Sequence, residues 1–600
     1  MKETWKCVNE VLGRSPSIQG KNIFERHMET TMKEIAEKFC ETFACAVSPG
    51  EHICQEQLYY DYMKRSGLRC QHIQRESIYI PDITEQELRS MIATMDKKKS
   101  PGYDNIMLAD VIGTLDSISP ALVRLINLSL RNAVIPSLLK VAVVTPIYKN
   151  GKKDAYTNYR PISVLSCIDK IIEKYVAKVM HDYLQKYQIL NESQYGYRKN
   201  RGTIDLLERV ADIVNGKLNE HKHVLCLFID FSKAFDRINH DKLLKILEDL
   251  GIRGPLLDWF RCFLANRRFC VKVGNEVSSL RELRAGVPQG SILGPLLYLL
   301  YVNDVQHCFQ DCRCFLYADD TLILAVHKDI KKAEQMLLRE FHRFQLWAHQ
   351  KDLLINTSKT KLMHVASPHS GVDCDLKLTV HDTDCLHMEH TNHNRNCECD
   401  NIIELVHRQK YLGIYIDSRF LWDVHIGEIG KKLSYFANCF YYLSDFVPRN
   451  VLRIIYHSLV ESVLSYGITI WGQASISHIN RLKSAQGRIL RNMDRSVISN
   501  LYREHNILSI KHLYIFRVVI NNYFKSRDLT TVHHPHATRA RERGMYVVPK
   551  TNNKYGDRLI SVQLPKILND LPETMLNLQS LAQVKANLCS WLVSLDDEIK

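Results

Sequence analysis

Three carboxylates in this chain have the types and setting to hold divalent metal. Asp230 closes the unbroken apolar run HVLCLFID, and Asp319 and Asp320 stand side by side in YADD, between two apolar arms. Transfer of a nucleotidyl group needs two Mg²⁺ about 3.5–4 Å apart, one to activate an attacking hydroxyl and one to steady a leaving pyrophosphate. Magnesium takes oxygen ligands and keeps places for water and phosphate, so carboxylates from two adjacent strands suffice. Alone, an Asp-Asp pair reads as readily as turn chemistry, because Asp tolerates turn backbone angles.

The elements that must position these groups are legible. HVLCLFID has the length and continuity of a strand covered on both faces. CRCFLYADDTLILAV predicts a hairpin with Asp319 and Asp320 at its tip. Upstream, HMETTMKEIAEKFCETFACAV has helical spacing, and ITEQELRSMIATM predicts an amphipathic helix with Thr84 as N-cap. KVAVVTPIYKNGKKDAYTNYRPISVLS predicts two short strands, VAVVTPI and RPISVL, around a lysine-rich tip. YLGIYID predicts a short strand with a glycine. Beyond about residue 430 the pattern is helical, as in RNVLRIIYHSLVESVLSYG and ISHINRLKSAQGRILRNM.

The 600 residues exceed one compact core. A hydrophobic fraction of 45% and a charged fraction of 24% are those of a globular protein. The net charge of +14 favours a polyanionic partner, since basic surfaces attract phosphates by counterion release. The 18 cysteines are scattered and include no Cys-x-x-Cys pair, which suits a reducing compartment. The N-terminus lacks a signal-peptide core, and the apolar stretch Ile292 to Val302 is too short to span a bilayer. The expectation is an intracellular protein of nucleus or cytoplasm, neither secreted nor membrane-spanning.

Two further clusters invite chemistry. Arg481, Lys483, Arg488 and Arg491 interleave with Ile479, Leu482, Ile489 and Leu490, which predicts a helix with one apolar and one basic face. Such a face suits duplex phosphates, and an ordinary surface helix fits it equally. Between Pro368 and Asn401, Cys374, Cys385, Cys397 and Cys399 accompany His381, His387, His390 and His393. Cys-x-Cys is not the usual zinc-ligand spacing, so a surface insertion without zinc is expected.

Taken together, the blocks resemble the reverse transcriptases of non-LTR retrotransposons, LINE-type and jockey-like. KKKSPGYDNI is similar to the family's N-terminal signature, and YRPISVL and SQYGYRKNRGT to its fingers blocks. DFSKAFDRINHDKLL resembles motif A, AGVPQGSILGPLLYLLYVND motif B, YADD motif C, NTSKTKLM motif D and YLGIYID motif E. SYGITIWG and QGRILR resemble the region beyond the polymerase core. The blocks stand in the family's order from about residue 85 onward.

The resemblance implies an α+β, right-hand polymerase fold of fingers, palm and thumb, with helical N- and C-terminal extensions. It implies a helical linker over 1–80, N-terminal extension and fingers over 81–215, a palm over 216–428 with 368–401 as insertion, and a helical thumb and C-terminal region over 429–600. The implied activity is RNA-directed DNA polymerisation from dNTPs on an RNA template with a DNA primer. Two Mg²⁺ ions would serve it, with Mn²⁺ as substitute.

By the same resemblance Asp230 and Asp319 are the principal metal ligands and Asp320 an auxiliary one. Phe235 matches a steric gate against a ribose 2′-hydroxyl. Gln289 and Gly290 match residues at the incoming nucleotide, and Lys149 and Arg160 match cations that grip its triphosphate. Lys359 matches a region proposed to protonate the departing pyrophosphate. Tyr411 and Leu412 match the primer grip, with a core role as the alternative. The chain reads as the polymerase portion of an element that elsewhere carries an endonuclease. Two other readings stand beside this one: a maturase- or telomerase-like reverse transcriptase, and an inactive or host-captured copy that only binds RNA.

Overall fold

The structure, a computed structural model, describes residues 31–45, 74–149, 151–368, 374–381, 401–495, 500–522, 529–530, 545–572, 575 and 580–595. The first elements are helices α1 (Met32–Cys45) and α2 (Glu85–Ala93), strands β1 (Val141–Tyr148) and β2 (Tyr159–Val164), and helices α3 (Cys167–Lys186) and α4 (Thr203–Asn219). Strands β3 (His223–Ile229), β4 (Arg267–Val273), β5 (Glu276–Val277) and β6 (Arg281–Leu283) follow, then helix α5 (Leu293–Tyr301). Next come β7 (Arg313–Tyr317), β8 (Asp320–His327), helix α6 (Ile330–Gln350), β9 (Lys361–Val365), β10 (Glu404–Leu405), β11 (Arg408–Tyr411) and β12 (Ile414–Asp417). Helices α7 (Asp423–Leu443), α8 (Ile476–Met493) and α9 (Ile510–Asn521) lead into the C-terminal part. Among the described residues no helix is long and apolar enough to cross a membrane.

Two sheets organise the site. In the first, β1 pairs antiparallel with β2 and parallel with β4, which also carries β5 and β6. Helix α1 buries Ile35, Phe39 and Phe43, spaced four apart, against Ala142, Val144, Phe269 and Val271. The Phe39 ring meets Tyr156 and Tyr159 edge-on, at 4.7 and 5.0 Å between centroids. Thr84 caps α2 as its sequence predicts. Its hydroxyl accepts from the Glu87 amide at 3.2 Å, and the Glu87 carboxylate accepts from the Thr84 amide at 3.2 Å.

The second sheet has the order β10-β9-β3-β8-β7. All of β3 is buried. Leu225, Leu227 and Ile229 face the core shared with α5 and α6, and Val224, Cys226 and Phe228 face the core shared with α4 and the C-terminal helices. Each such aliphatic side chain contributes roughly 1.5–3 kcal/mol on burial, which makes this strand a rigid base. One segment departs from its sequence reading as a single strand. YLGIYID forms the hairpin β11–β12, because Leu412 and Gly413 both adopt positive φ, 44° and 86°, and turn the chain.

Candidate active site

Asp230 lies one residue past β3, whose pairing with β8 ends at Ile229 opposite Thr321. That register leaves Asp230 level with Asp320. Strands β7 and β8 form a tight hairpin in which Tyr317 pairs with Asp320, so Ala318 and Asp319 make the whole turn. The turn leading into β9 fixes the other flank, where the Asn356 amide donates to the Asp230 carbonyl at 2.8 Å and the Asp230 amide donates to the Thr360 hydroxyl at 3.3 Å. The three acids thus come from two neighbouring strands of a buried sheet, as predicted.

Cations gather around them. The Lys359 ammonium stands 3.4 Å from the Asp230 carboxylate. Burial raises the Asp319 carboxyl above the ordinary range and Asp230 adds to this, while its own amide, Lys149 and Arg160 pull it down. The Asp320 carboxyl is pushed up to about 6, first by desolvation, then by Asp319 and Asp230. The Asp320 side chain is nevertheless exposed at the start of β8. Lys149 follows β1, and Arg160 sits opposite Ile147 on β2. The Lys149 ammonium is held below the usual lysine range by desolvation and by Lys359 and Arg160. The first sheet therefore carries two cations whose charge is felt by Asp319 of the second.

Phe235 lies in the short turn after Asp230. Its ring stacks on buried Tyr298 at 4.5 Å and meets Tyr197 edge-on at 6.5 Å. Its carbonyl accepts from the Val287 amide at 3.0 Å, which ties it to the VPQG segment. Within that segment the Gln289 carboxamide donates to Asp236 at 2.8 Å, and the Gln289 carbonyl accepts from the Ser163 amide at 2.7 Å. Gly290 has φ 130°, and a Cβ there would come within 2.3 Å of the Ser163 carbonyl oxygen. Only glycine permits this approach.

The primer-grip expectation changes in part. Tyr411 is 5% exposed and its ring packs on Phe228 at 5.4 Å, which fits the core alternative for its side chain. Leu412 occupies the hairpin turn, and its carbonyl accepts from the Tyr466 hydroxyl at 2.5 Å. On α8, Arg481, Arg488 and Arg491 are exposed, while Leu482, Ile489 and Leu490 are buried. Lys483 is half-buried and two positions from Arg481, which on a helix places it on the opposite flank. The basic face is carried by the three arginines.

Sequence reasoning passed over Gln194, Tyr197 and Asp236. Asp236 holds Gln289, and burial raises its carboxyl. Burial raises the Tyr197 phenol, and the charge of nearby Asp319 adds to this. Both belong to blocks already singled out, SQYGYRKNRGT and DFSKAFDRINHDKLL, and that was the available signal. Of the Cys/His cluster, Cys374 and His381 are described, and Cys385, Cys397, Cys399, His387, His390 and His393 lie outside the described residues.

Among the described residues no three His, Cys, Asp or Glu side chains converge tightly enough to hold a metal ion by themselves. The carboxylate set at Asp230, Asp319 and Asp320 instead offers hard oxygen donors on an open face. That chemistry fits magnesium shared with a phosphate ligand.

Residues 147–416 match the protein family described as reverse transcriptase (RNA-dependent DNA polymerase). The chain is 29% identical over 427 residues to a probable RNA-directed DNA polymerase from transposon BS of Drosophila melanogaster, covering 69% of this chain and 45% of that protein. It is 28% identical over 431 residues to the RNA-directed DNA polymerase from mobile element jockey of the same organism, covering 69% and 44%. A probable RNA-directed DNA polymerase from transposon X-element is 28% identical over 416 residues, covering 68% and 43%. The chain spans less than half the length of these relatives. Its candidate residues from Lys149 to Leu412 all lie inside the family match, on a mixed α/β framework. Over residues 147–416 the chain is thus similar to reverse transcriptases, and the relatives it resembles are RNA-directed DNA polymerases of mobile elements.

Proposed function

We propose that this chain extends a DNA primer on an RNA template from dNTPs, inside the cell, in nucleus or cytoplasm. One observation carries the reading: Asp230 and Asp319–Asp320 meet at the end of one buried sheet, faced by Lys149 and Arg160 from another. In this reading the first sheet belongs to the fingers, the second is the palm, and the C-terminal helices are the thumb.

Asp230 and Asp319 would hold two Mg²⁺ ions, or Mn²⁺ in their place, with Asp320 assisting. When bound, the ions supply Lewis-acid activation of the primer 3′-hydroxyl and charge neutralisation at the pyrophosphate. Lys149 and Arg160 bind the triphosphate, Arg160 through paired N–H donors and Lys149 as a point charge. Lys359, beside Asp230, supplies a proton to the departing pyrophosphate. Phe235 walls off the sugar C2′ position, and the Gly290 backbone passes close to the nucleotide. The Leu412–Gly413 turn contacts the primer end, and Arg481, Arg488 and Arg491 lie along duplex phosphates without reading sequence.

The test is primer extension by the purified chain on primed RNA with dNTPs and Mg²⁺. Extension is expected. RNA binding without extension would replace this reading with that of a binding protein.

A further inference from the structure

We propose that Gln194 is a positioning residue that holds the Ala318–Asp319 turn, and through it the Asp319 carboxylate, in working geometry. The proposal rests on the polymerase reading above and adds a residue to it.

The argument begins with strain. In the two-residue turn Ala318 has φ 56° and Asp319 is not in the positive-φ region. A tight hairpin turn with positive φ only at its first central residue favours glycine there. Here that place holds a residue with a Cβ, which disfavours the left-handed region. Such a conformation persists when its surroundings over-determine it.

The surroundings are the SQYG segment. It runs parallel to β7, with Gln194 bridged to Leu316. The Tyr195 amide donates to the Leu316 carbonyl at 2.8 Å, and the Leu316 amide donates to the Ser193 carbonyl at 2.9 Å. The Gln194 side chain, 3% exposed, then bends toward the turn. Its carbonyl oxygen accepts from the Gly196 amide at 2.8 Å and from the Ala318 amide at 3.1 Å. Gly196 lies so close that a Cβ would come within 2.4 Å of the Ala318 nitrogen. The carboxamide cannot flip, because its NH₂ would then face two N–H donors.

The cost of Gln194 points the same way. Its Nε2 is buried without a hydrogen-bond partner. A buried donor left unpaired destabilises, and an apolar side chain of similar shape avoids that cost. What methionine or leucine lacks is an acceptor beneath the Ala318 amide. The one satisfied end of this side chain is the end that grips the turn.

The experiment compares the unmutated chain with Gln194→Met, which keeps length and loses the acceptor. Measured quantities are kcat, the KM for dNTP, primer–template affinity, melting temperature and Mn²⁺ binding by electron paramagnetic resonance. The expected result is a kcat lowered about 100-fold, as for a small misplacement of a reacting group. Mn²⁺ binding weakens, while dNTP KM and primer–template affinity stay within about threefold. Ala318→Gly, introduced beside Gln194→Met, relieves the strain and recovers part of the lost turnover.

Unchanged kcat and Mn²⁺ binding in Gln194→Met would overturn the proposal. So would a general loss of melting temperature and primer–template binding that Ala318→Gly leaves unrepaired, since that assigns Gln194 to the fold alone. An unmutated chain that neither extends nor binds Mn²⁺ would remove the polymerase reading itself. The unmutated control separates that failure from the others.

Discussion

The Phe235 ring lies flat on the Tyr298 ring, 4.5 Å between centroids and 25° from parallel. Tyr298 is 1% exposed, so the ring beneath Phe235 cannot retreat. A side chain backed in this way is a wall rather than a flap. Phe235→Val should therefore admit ribonucleotides, with the preference for dNTP over NTP falling roughly 10- to 100-fold while dNTP turnover is retained. Competition between the two nucleotides on one primer checks it. Unchanged sugar preference would remove the gate.

Tyr466 binds the β11–β12 hairpin from a distant part of the chain. Its hydroxyl donates to the Leu412 carbonyl at 2.5 Å and lies 3.1 Å from the Thr203 hydroxyl. Tyr466→Phe should lower stability by about 1 kcal/mol, the net worth of an ordinary hydrogen bond. It should also raise the KM for primer–template several-fold with kcat nearly unchanged. Denaturant titration and steady-state kinetics test the two halves separately.

Gly290 leaves no space for a side chain, since a Cβ would come within 2.3 Å of the Ser163 carbonyl oxygen. Its φ of 130° is also one that other residues avoid. Gly290→Ala should push Gln289 away from β2 and raise the KM for dNTP by tenfold or more. Primer–template affinity should hold. Nucleotide titrations at fixed primer–template distinguish these effects.

His425 predicts an acid limit to stability. It is buried against Trp471, and burial with Lys432 and Lys410 nearby lowers its imidazole to about 4. The unfolded chain takes up this proton first as pH falls. The stability is fully present above about pH 6.5 and is lost as pH drops toward 4, by roughly 3 kcal/mol in total. His425→Gln should flatten this part of the melting-temperature profile. An identical profile in both proteins would contradict the assignment.

What the sequence disclosed follows from how locally each feature is written. The capping box at Thr84, the buried strand before Asp230 and the hairpin around Asp319 are encoded by neighbouring residues and an apolar pattern, so each could be read directly. Gln194 could not, because its partner Ala318 lies far along the chain and no periodicity links them. Tyr411 shows a second limit. Its motif predicts a place near the primer, yet strand alternation turns its ring inward onto Phe228, and only the turn that follows faces out. The hairpin at Leu412–Gly413 was hidden because a single glycine in a strand reads as a bulge as readily as a turn. Lys483 fell on the wrong flank because a count of basic residues ignores the helical angle between them.

The most direct measurement is single-nucleotide incorporation on a primed RNA template in Mg²⁺, by the unmutated chain and by Asp319→Asn. Asparagine keeps the size of the side chain and removes the charge that a metal needs. The account predicts incorporation by the unmutated chain and a loss of at least about 1,000-fold in Asp319→Asn, with primer–template binding preserved. Incorporation at equal rates by both proteins would contradict it.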